Sequence, residues 1–272
     1  MKDFKNKVVV ITGAGSGMGR AYALAFARLG ARLALNDYDA KALAETAGLL
    51  PEGMSGRTLS SAFDVADKAA MYAFADEVLR QFGGAHVVIN NAGIEGSSLP
   101  TWQTTEDEFE RIMRINFFGV LNGTKAFLPQ LMARKEGAIV NVSSIMGLIG
   151  APSQADYCAS KFAVRGFTES LMVELHDSPI SVHLVHPGGI ATNIVRKPGG
   201  QAFAKRYLTT PPEAIVKHVI QSIRKGRVKI IYGRDALRTW LGSNFLPQRW
   251  LNAIVWRELK RSHDLTHYQG LR

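Results

Sequence analysis

Short, unbroken apolar runs recur along this chain, and each is followed by a stretch with helical periodicity. Strands that alternate apolar and polar residues belong to sheets with one wet face, whereas unbroken apolar strands are buried on both faces. The alternation of strand and helix continues without a linker or a repeat to about residue 190. It predicts one doubly wound α/β domain, a parallel sheet with helices on both faces. The predicted strands are the segments KVVVIT, RLALND, RTLSSAFDV, HVVINNAG, GAIVNVSS, ISVHLVHPGG and RVKIIYG.

A glycine-rich turn, TGAGSGMG, joins the first predicted strand to the first predicted helix. Glycines there allow a pyrophosphate to approach the helix N-terminus, where backbone N–H groups point outward. Because the turn follows a buried strand and opens a helix, it has the context of a Rossmann-type dinucleotide-binding fingerprint. We expect five residues of this turn to bind the cofactor, namely Gly13, Ser16, Gly17, Met18 and Gly19.

An aspartate, Asp37, ends the second predicted strand. A carboxylate at this place accepts hydrogen bonds from the adenosine ribose hydroxyls and repels a 2′-phosphate. No basic residue interrupts the glycine turn or directly follows Asp37. The sequence therefore favours NAD(H) over NADP(H) as the cofactor.

Composition is that of an ordinary soluble globular protein, with 46% hydrophobic and 21% charged residues in 272. The single cysteine, Cys158, excludes an internal disulfide and agrees with a reducing compartment. The N-terminal segment has no secretory signal pattern, and no apolar stretch reaches the length of a spanning helix. We therefore expect a cytoplasmic protein, and we expect no metal site.

The net charge of +10 lies entirely in the last part of the chain, because residues 201–272 hold 14 basic and 4 acidic side chains. We divide the chain into a catalytic domain over 1–235 and a basic amphipathic extension over 236–272. Tryptophans and leucines of 236–261 predict two short amphipathic helices, the second opened by Pro247. Such helices pack on their own or a sister subunit, or rest on an anionic membrane surface. Nucleic acid is disfavoured, because no base-reading motif is present.

Tyr157 and Lys161, in the stretch DYCASKFAVRGF, share one face of a predicted helix, one turn apart. Hydride transfer between an alcohol carbon and a nicotinamide requires a proton to move to or from the oxygen. A free tyrosine has a pKa of about 10, and a nearby cation favours its phenolate form. We expect Tyr157 to be the general acid and base, with Lys161 lowering its pKa. Cys158 faces away from Tyr157 and is expected to be a packing residue.

Four motifs occur in order along the chain: TGAGSGMG, NNAG, a serine upstream of the Tyr157-x-x-x-Lys161 pair, and HPGGIATNI. Together they resemble the short-chain dehydrogenase/reductase family, in its compact branch, over about residues 5–195. The resemblance implies a nicotinamide dinucleotide cofactor and a homodimer or homotetramer. The family usually has an acidic residue where His86 stands, and we expect this departure to affect only the support of the fourth strand.

The resemblance also implies catalytic roles. Asn116, in RINFFGV, matches the family's asparagine that supports a proton-relay water, and it would link Lys161 to bulk water. Ser144 matches the serine that orients the substrate, with Ser143 as the competing assignment. Together with Tyr157 and Lys161, these two residues form the expected catalytic set of four.

Further residues would bind the cofactor by resemblance. Asp64 and Val65 would sit against the adenine ring, Thr192 would touch the nicotinamide carboxamide, and Asn90 would hold the turn after the fourth strand. The complete remaining set is Asp64, Val65, Asn91, Ala92, Gly93, Tyr157, Lys161, Pro187, Gly188, Ile190 and Thr192. The glycine-rich segment 188–208 is expected to be a surface loop or a lid over the site.

Positions expected to face the substrate are apolar, namely Ile94, Ile145, Met146, Leu148 and Phe203. They favour an apolar secondary alcohol or ketone, steroid-, aryl- or lipid-like, over a sugar or a small acid. The expected function is NAD(H)-dependent interconversion of that alcohol and ketone. An NADPH-linked 3-oxoacyl thioester reductase is an alternative that Asp37 disfavours. A non-enzymatic dinucleotide-sensing or membrane-associated scaffold is a second alternative, and it predicts loss of a catalytic position, whereas all four are present.

Overall fold

The computed structural model describes residues 1–197, 200–260 and 265–268. Its strands are Val8–Thr12 (β1), Arg32–Asp37 (β2), Thr58–Ala62 (β3), Val87–Asn90 (β4), Gly137–Val142 (β5), Ile180–Pro187 (β6) and Lys229–Tyr232 (β7). They form one sheet in the order β3-β2-β1-β4-β5-β6-β7, and each neighbouring pair is parallel. The predicted doubly wound parallel sheet is confirmed.

Helices connect the strands, and the prediction of a helix over Lys68–Phe82 is confirmed at both ends. Two helices flank Pro247, as the amphipathic pattern predicts. The helices are Gly17–Arg28 (α1), Ala40–Gly48 (α2), Lys68–Phe82 (α3), Glu106–Met113 (α4), Gly119–Arg134 (α5), Ala155–Glu174 (α6), Gln201–Tyr207 (α7), Pro212–Arg224 (α8), Ala236–Phe245 (α9) and Gln248–Leu259 (α10). None of the helices within the described ranges is both long and apolar enough to cross a membrane.

Both faces of the sheet are covered, which explains why the strands are unbroken apolar runs. Val9 and Ile11 of β1 belong to a cluster with the buried side chains of α1 and α8. Their neighbours Val8 and Val10 point to the other face and pack with α3, α5 and α6. Successive side chains of a strand alternate between faces, so the first four residues of β1 are all apolar, whereas Thr12 at its carboxyl end is polar.

The segment 188–208, predicted to be a loop, contains the seven-residue helix α7. Phe203 and Tyr207 lie one turn apart on this helix, with ring centres 5.0 Å apart. Aromatic pairs at this spacing stabilise a helical turn. The glycines of the segment precede this short helix and do not prevent it from forming.

A buried polar chain fixes the helix that carries Tyr157. Asn90 Nδ2 donates to Asn141 Oδ1 at 2.8 Å, and Asn141 Nδ2 donates to Thr168 Oγ1 of α6 at 3.1 Å. Asn90 thus joins β4 to β5, instead of holding the turn beside the cofactor as expected. Because buried amides are costly to leave unpaired, the chain sets the rotation of α6 against the sheet.

His86 supports the start of β4. Its Nδ1 accepts a hydrogen bond from the backbone N–H of Val8, at 3.1 Å. Burial lowers the pKa of His86 to about 4, so the ring is neutral and able to accept this bond near neutral pH. The contact gives this histidine a structural role between β1 and β4.

Candidate active site

The glycine turn has the geometry of an anion site. Gly13 and Gly17 adopt positive φ angles of 66° and 51°, and a Cβ on Gly19 would overlap the carbonyl oxygen of Gly13. Ser16 begins α1, but its side chain makes no capping hydrogen bond, and the first turn has no acidic residue. The first N–H groups of α1 therefore lack a side-chain acceptor, which fits a pyrophosphate. The Met18 side chain packs in the core, so only its backbone can serve the site.

The turn after β4 clamps this glycine turn. The backbone N–H groups of Asn91 and Ala92 both donate to Thr12 Oγ1, at 3.0 and 3.1 Å. Asn91 Nδ2 donates to the carbonyl oxygens of Thr12 and Gly13, at 3.0 and 3.3 Å. The carboxyl ends of β1 and β4 are thereby locked together at the crevice where the strand order reverses.

Asp37 is tied to the glycine turn by its own carboxylate. Its two oxygens accept hydrogen bonds from Gly15 N at 2.8 Å and Asp39 N at 3.0 Å. A guanidinium that sequence reasoning missed contacts Tyr38, the residue after Asp37, because Arg196 Nη1 donates to Tyr38 Oη at 2.8 Å. No basic residue directly follows Asp37 along the chain, but Arg196 reaches the Tyr38 hydroxyl from a distant loop.

Gly93 lies next to two of the predicted catalytic residues, Asn116 and Lys161. A Cβ at Gly93 would lie 3.2 Å from Asn116 Oδ1 and 3.3 Å from Lys161 Nζ, so both polar groups border the same point. Asn116 lies in a π-helical turn between α4 and α5 and is fully buried. Its side chain accepts from Ile94 N at 2.8 Å, and it donates to Ile94 O and Ser160 Oγ.

Tyr157 and Lys161 meet on one face of α6. The Nζ atom of Lys161 lies 5.6 Å from the centre of the Tyr157 ring. The same atom donates to the carbonyl oxygen of Val142 at 3.2 Å, and Lys161 is only 3% exposed. Cys158, between them in sequence, is buried.

The pKa values depart from the expectation. Burial raises the pKa of Tyr157 to about 12, and a hydrogen bond with Ser144 acts weakly in the opposite direction. Burial lowers the pKa of Lys161 to about 8. In this structure, desolvation of the phenolate outweighs the lowering of the Tyr157 pKa that was expected from Lys161.

The two competing serines have different partners. Ser143 Oγ donates to the carbonyl oxygen of Lys161 at 2.8 Å, inside the packing of α6. Ser144 Oγ accepts from Met146 N at 3.1 Å and lies near enough to Tyr157 to lower the pKa of its phenol. His186 Nδ1 donates to the carbonyl oxygen of Ser144 at 2.7 Å, which holds its backbone. Of the two hydroxyls, that of Ser144 is the one beside Tyr157.

Asp156 is a residue that sequence reasoning missed. It is fully buried, and its carboxylate accepts hydrogen bonds from Ser97 N at 2.6 Å and Tyr157 N at 2.7 Å. It thus joins the loop after β4 to the first turn of α6. An acidic residue in the first turn of a helix was the only available signal, and such residues are common at helix N-termini.

Asp64 and Val65, both expected to contact the adenine ring, differ in their exposure to solvent. The Val65 side chain is buried against Gly119, where a Cβ would lie 2.6 Å from Val65 Cγ2. Asp64 is exposed and accepts from Ala66 N at 2.9 Å. Asp64 therefore stays available at the surface, while Val65 serves the core.

The segment after β6 returns to the glycine turn. A Cβ on Gly17 would lie 3.0 Å from Thr192 Cγ2, so Thr192 borders the predicted pyrophosphate site. Pro187 ends β6, and a side chain on Gly188 would overlap the carbonyl oxygen of Arg234. The Ile190 side chain is buried in the core.

The predicted substrate residues differ in their placement. Ile145 and Met146 are half-buried in a 3-10 turn that Ser144 begins, and Ile94 is half-buried beside Asn116. Leu148 is buried, and the Phe203 ring packs at a tilt against that of Tyr207 in α7. Within the described part of the chain, no cluster of three or more His, Cys, Asp or Glu side chains could hold a metal ion.

Glu95 connects two of the loops around the site. Its Oε1 atom accepts hydrogen bonds from the backbone N–H groups of Arg196 and Lys197, at 2.6 and 2.8 Å. Lys197 Nζ donates in turn to the carbonyl oxygen of Ser97, at 3.3 Å. The segment after β6 is thereby held against the loop after β4.

Comparison with known sequences places this architecture among oxidoreductases. Residues 7–201 match the family model described as short chain dehydrogenase. SadH of Mycobacterium tuberculosis, named as an oxidoreductase, is 42% identical over 248 residues, which are 87% of this chain and 89% of that protein. Dehydrogenase/reductase SDR family member 7B of Mus musculus is 41% identical over 193 residues, which are 70% of this chain and 59% of that protein.

Solved structures have the same fold. A short chain dehydrogenase/reductase from Burkholderia phymatum in complex with NAD superimposes with a TM-score of 0.77 at 30% identity, over 85% of this chain and 90% of that chain. An alcohol dehydrogenase from Thermococcus sibiricus, complexed with 5-hydroxy-NADP, gives 0.70 at 26% identity, over 82% and 93%. Similar structures thus hold both kinds of nicotinamide dinucleotide.

Proposed function

This chain belongs to the short-chain dehydrogenase family of oxidoreductases, and on that premise we propose that it interconverts a secondary alcohol and a ketone with NAD(H). The observation that carries the proposal is the convergence of Tyr157, Lys161 and Ser144 at the carboxyl edge of the sheet. Lys161 Nζ lies 5.6 Å from the Tyr157 ring centre, and the Ser144 side chain lies near enough to Tyr157 to lower the pKa of its phenol. One hydroxyl and one phenol beside a buried cation are suited to holding a carbonyl or carbinol oxygen.

The residues divide the work of oxidation among them. A bound nicotinamide ring would accept the hydride as the carbinol C–H bond breaks, and would return it in reduction. Tyr157 takes the proton from the substrate hydroxyl as the C=O bond forms, and gives it back in the reverse direction. Ser144 donates a hydrogen bond to the same oxygen. Lys161, held by Val142, stabilises negative charge on Tyr157, and Asn116 keeps the Ile94 backbone in place.

The protonation state of Tyr157 supports ketone reduction, because this direction requires a phenol that can donate a proton. With a pKa of about 12, Tyr157 is protonated near neutral pH and able to donate. Alcohol oxidation requires the phenolate, so it depends on a cation near Tyr157. Lys161, with a pKa of about 8, is mostly charged at pH 7 and supplies that cation.

NAD(H) is supported by Asp37, whose carboxylate is fixed against the glycine turn and would accept from the ribose hydroxyls. The apolar side chains around Ser144, namely Ile145 and Met146, support an apolar substrate. The direct test follows reduced nicotinamide absorbance with steroid, aryl and aliphatic alcohols and ketones, using each of the two cofactors. Turnover of 3-oxoacyl thioesters with NADPH would favour the alternative reductase, and binding of NADH without turnover of any substrate would favour a dinucleotide sensor.

We also propose a peripheral contact with an anionic lipid surface, through the elbow between α9 and α10. Leu237, Leu241 and Phe245 follow one face of α9 at intervals of four residues, and Leu246 and Trp250 continue the surface. All five are exposed, Phe245 by 74% and Trp250 by 61%. Exposed aromatic and aliphatic side chains beside basic residues suit the lipid interface.

Charge favours lipid over a second copy of the chain as the partner of this elbow. Residues 234–260 hold five basic and two acidic side chains. Both acidic residues are paired, Asp235 with Arg234 and Glu258 with Arg238. Two copies of a surface with net positive charge repel each other, whereas an anionic bilayer attracts it.

Vesicle sedimentation separates these partners. The intact protein should sediment with phosphatidylglycerol-containing vesicles and much less with phosphatidylcholine vesicles, and about 1 M salt should weaken the binding. The double variant F245S/W250S should lose most of this binding, whereas L79S, which alters an exposed leucine of α3, should keep it. Equal vesicle binding by both variants would refute lipid binding through this elbow. If the protein is a dimer that dissociates only in F245S/W250S, the surface contacts a second copy of the chain instead. The homodimer or homotetramer stays a prediction that sedimentation velocity tests.

A further inference from the structure

The C-terminal part of the chain returns to the candidate active site through Tyr268. This tyrosine lies between two tryptophans, with ring centres 5.4 Å from Trp102 and 5.2 Å from Trp256. Its hydroxyl is 2.9 Å from Ser153 Oγ, within hydrogen-bond distance. Three contacts from three separate parts of the sequence therefore fix one side chain.

Two of these contacts lie on loops that border the catalytic residues. Ser153 lies between Ser144 and Tyr157 in sequence, is 7% exposed, and has a positive φ of 54°. Trp102 lies in the loop between β4 and α4, the same loop whose Ile94 is held by Asn116. Tyr268 thus joins the loop after β4 to the loop that precedes α6.

Helices α9 and α10 extend this contact around the site. Tyr207 Oη donates to the carbonyl oxygen of Glu258 at 3.2 Å, which ties α7 to α10. Helix α9 packs against the 3-10 turn Ile145–Gly147, directly after Ser144. We name residues 236–260 and 265–268 the C-terminal wall, because together they contact the loop after β4, the segment that precedes α6, and α7.

We propose that the C-terminal wall is the outer boundary of this chain's own substrate cleft, and that Tyr268 limits the length of the substrate. This inference rests on the proposed function and deepens it. A ring held between two tryptophans and bonded to Ser153 occupies a fixed position, so an alcohol or ketone that extends past it has to displace it. The wall therefore selects compact apolar substrates over long-chain ones, and Tyr268 is a positioning residue that takes no part in hydride or proton transfer.

The activity test uses aliphatic methyl ketones of increasing chain length, with NADH, on the full chain. Tyr268→Ala should raise kcat/KM for the longest ketones at least tenfold relative to the shortest, through KM more than kcat. Tyr268→Phe, which keeps the ring and loses the bond to Ser153, should shift the profile less. Tyr72→Ala, at a partly exposed tyrosine of α3, is the matched control and should leave the profile unchanged. A length profile in Tyr268→Ala equal to that of the unmodified protein would overturn the proposal.

Hydrogen exchange tests the wall independently of activity. In Tyr268→Ala, the amides of residues 94–104 and 143–154 should exchange several-fold faster than in Tyr72→Ala, because both loops lose their common contact. Unchanged exchange in both loops would also overturn the proposal. If the unmodified protein reduces no ketone while these loops respond as expected, the proposed function fails and the wall stands.

Discussion

Lys161 Nζ lies 5.6 Å from the centre of the Tyr157 ring, and the carbonyl oxygen of Val142, at 3.2 Å, holds it there. The cation is thus fixed by the end of a central strand as well as by the helix that carries it. Lys161 is 3% exposed, so its ammonium group is held beside the phenol and away from bulk water.

Tyr157→Phe should reduce turnover by a factor of about 10² to 10⁴, the usual contribution of a positioned general acid or base. The substitution removes only the hydroxyl, so the glycine turn is untouched and NADH affinity should stay within about twofold. Steady-state rates and fluorescence titration of NADH measure the two effects. Full activity in this variant would remove Tyr157 from the mechanism.

Ketone reduction should decline as the pH rises above about 8. Burial lowers the pKa of Lys161 to about 8, so its ammonium is charged below that pH and neutral above it. Tyr157, with a pKa of about 12, stays protonated throughout this range. Loss of the Lys161 cation is therefore the expected cause of the decline in kcat/KM. A profile that stays flat between about pH 7 and 10 would contradict this assignment.

Asp37→Asn should raise the kcat/KM ratio of NADP⁺ to NAD⁺ at least tenfold. The charge that repels a 2′-phosphate is removed, while an amide oxygen remains to accept from the turn. Arg196 Nη1, 2.8 Å from Tyr38 Oη, is a nearby cation for that phosphate. Adding Arg196→Gln should therefore reverse part of the gain. Asp39→Asn, at the neighbouring carboxylate that caps α2, is the control and should leave the ratio unchanged.

Gly19→Ala should destabilise the fold by about 1 to 3 kcal/mol or more, as overpacking does, and should weaken NADH binding. A Cβ at this position overlaps the carbonyl oxygen of Gly13, so the turn has to shift. Gly166→Ala places the same methyl group on α6, where nothing lies within 4 Å. There the substitution should stabilise the protein by about 0.5 to 1 kcal/mol. Thermal denaturation with and without NADH measures both effects. Equal melting temperatures for Gly19→Ala and Gly166→Ala would refute the predicted clash at Gly19.

His86 should make the protein less stable in mild acid. Its pKa is about 4 in the fold and about 6.5 when unfolded. The folded state therefore binds fewer protons, and the stability that this difference contributes is complete above pH 6.5. It is lost as the pH falls from about 6.5 towards 4, by at most about 3 kcal/mol.

The His86→Asn variant tests this origin, because an amide oxygen can accept from Val8 N but does not titrate between those pH values. Its free energy of unfolding should change less between pH 7 and 4 than that of the unmodified protein. His176→Asn, at an exposed histidine, should follow the unmodified curve. Parallel curves for His86→Asn and the unmodified protein would assign the acid sensitivity to other groups.

The sheet, its order of connection and the bounds of α3 follow from local patterns, and the sequence suffices for them. Helix α7 was missed because the glycines that precede it favour a loop, while the Phe203–Tyr207 pair that stabilises it is a weak signal. The direction of the Tyr157 pKa was missed because burial depends on packing that spacing alone does not reveal.

Asp156, Arg196 and Tyr268 were missed for another reason. Each acts through a partner far away in sequence, namely Ser97, Tyr38 and Ser153. Periodicity and motif spacing report on neighbours within a few residues, so they contain no information on such pairs. The catalytic and cofactor roles that the motifs suggest stay predictions until the variants are measured.

The parallel direction of the strands also decides how the protein can be attached to a surface. Residues 1–7 precede β1 and lie at the amino edge of the sheet, whereas the glycine turn, Ser144 and Tyr157 lie at its carboxyl edge. The five residues of β1 separate the two edges by roughly 16 Å. Coupling through residues 1–7 therefore leaves the catalytic side facing the liquid, whereas coupling at Tyr268, which contacts Ser153, crowds it. An electrode or resin carrying this protein should be joined at the amino edge of the sheet.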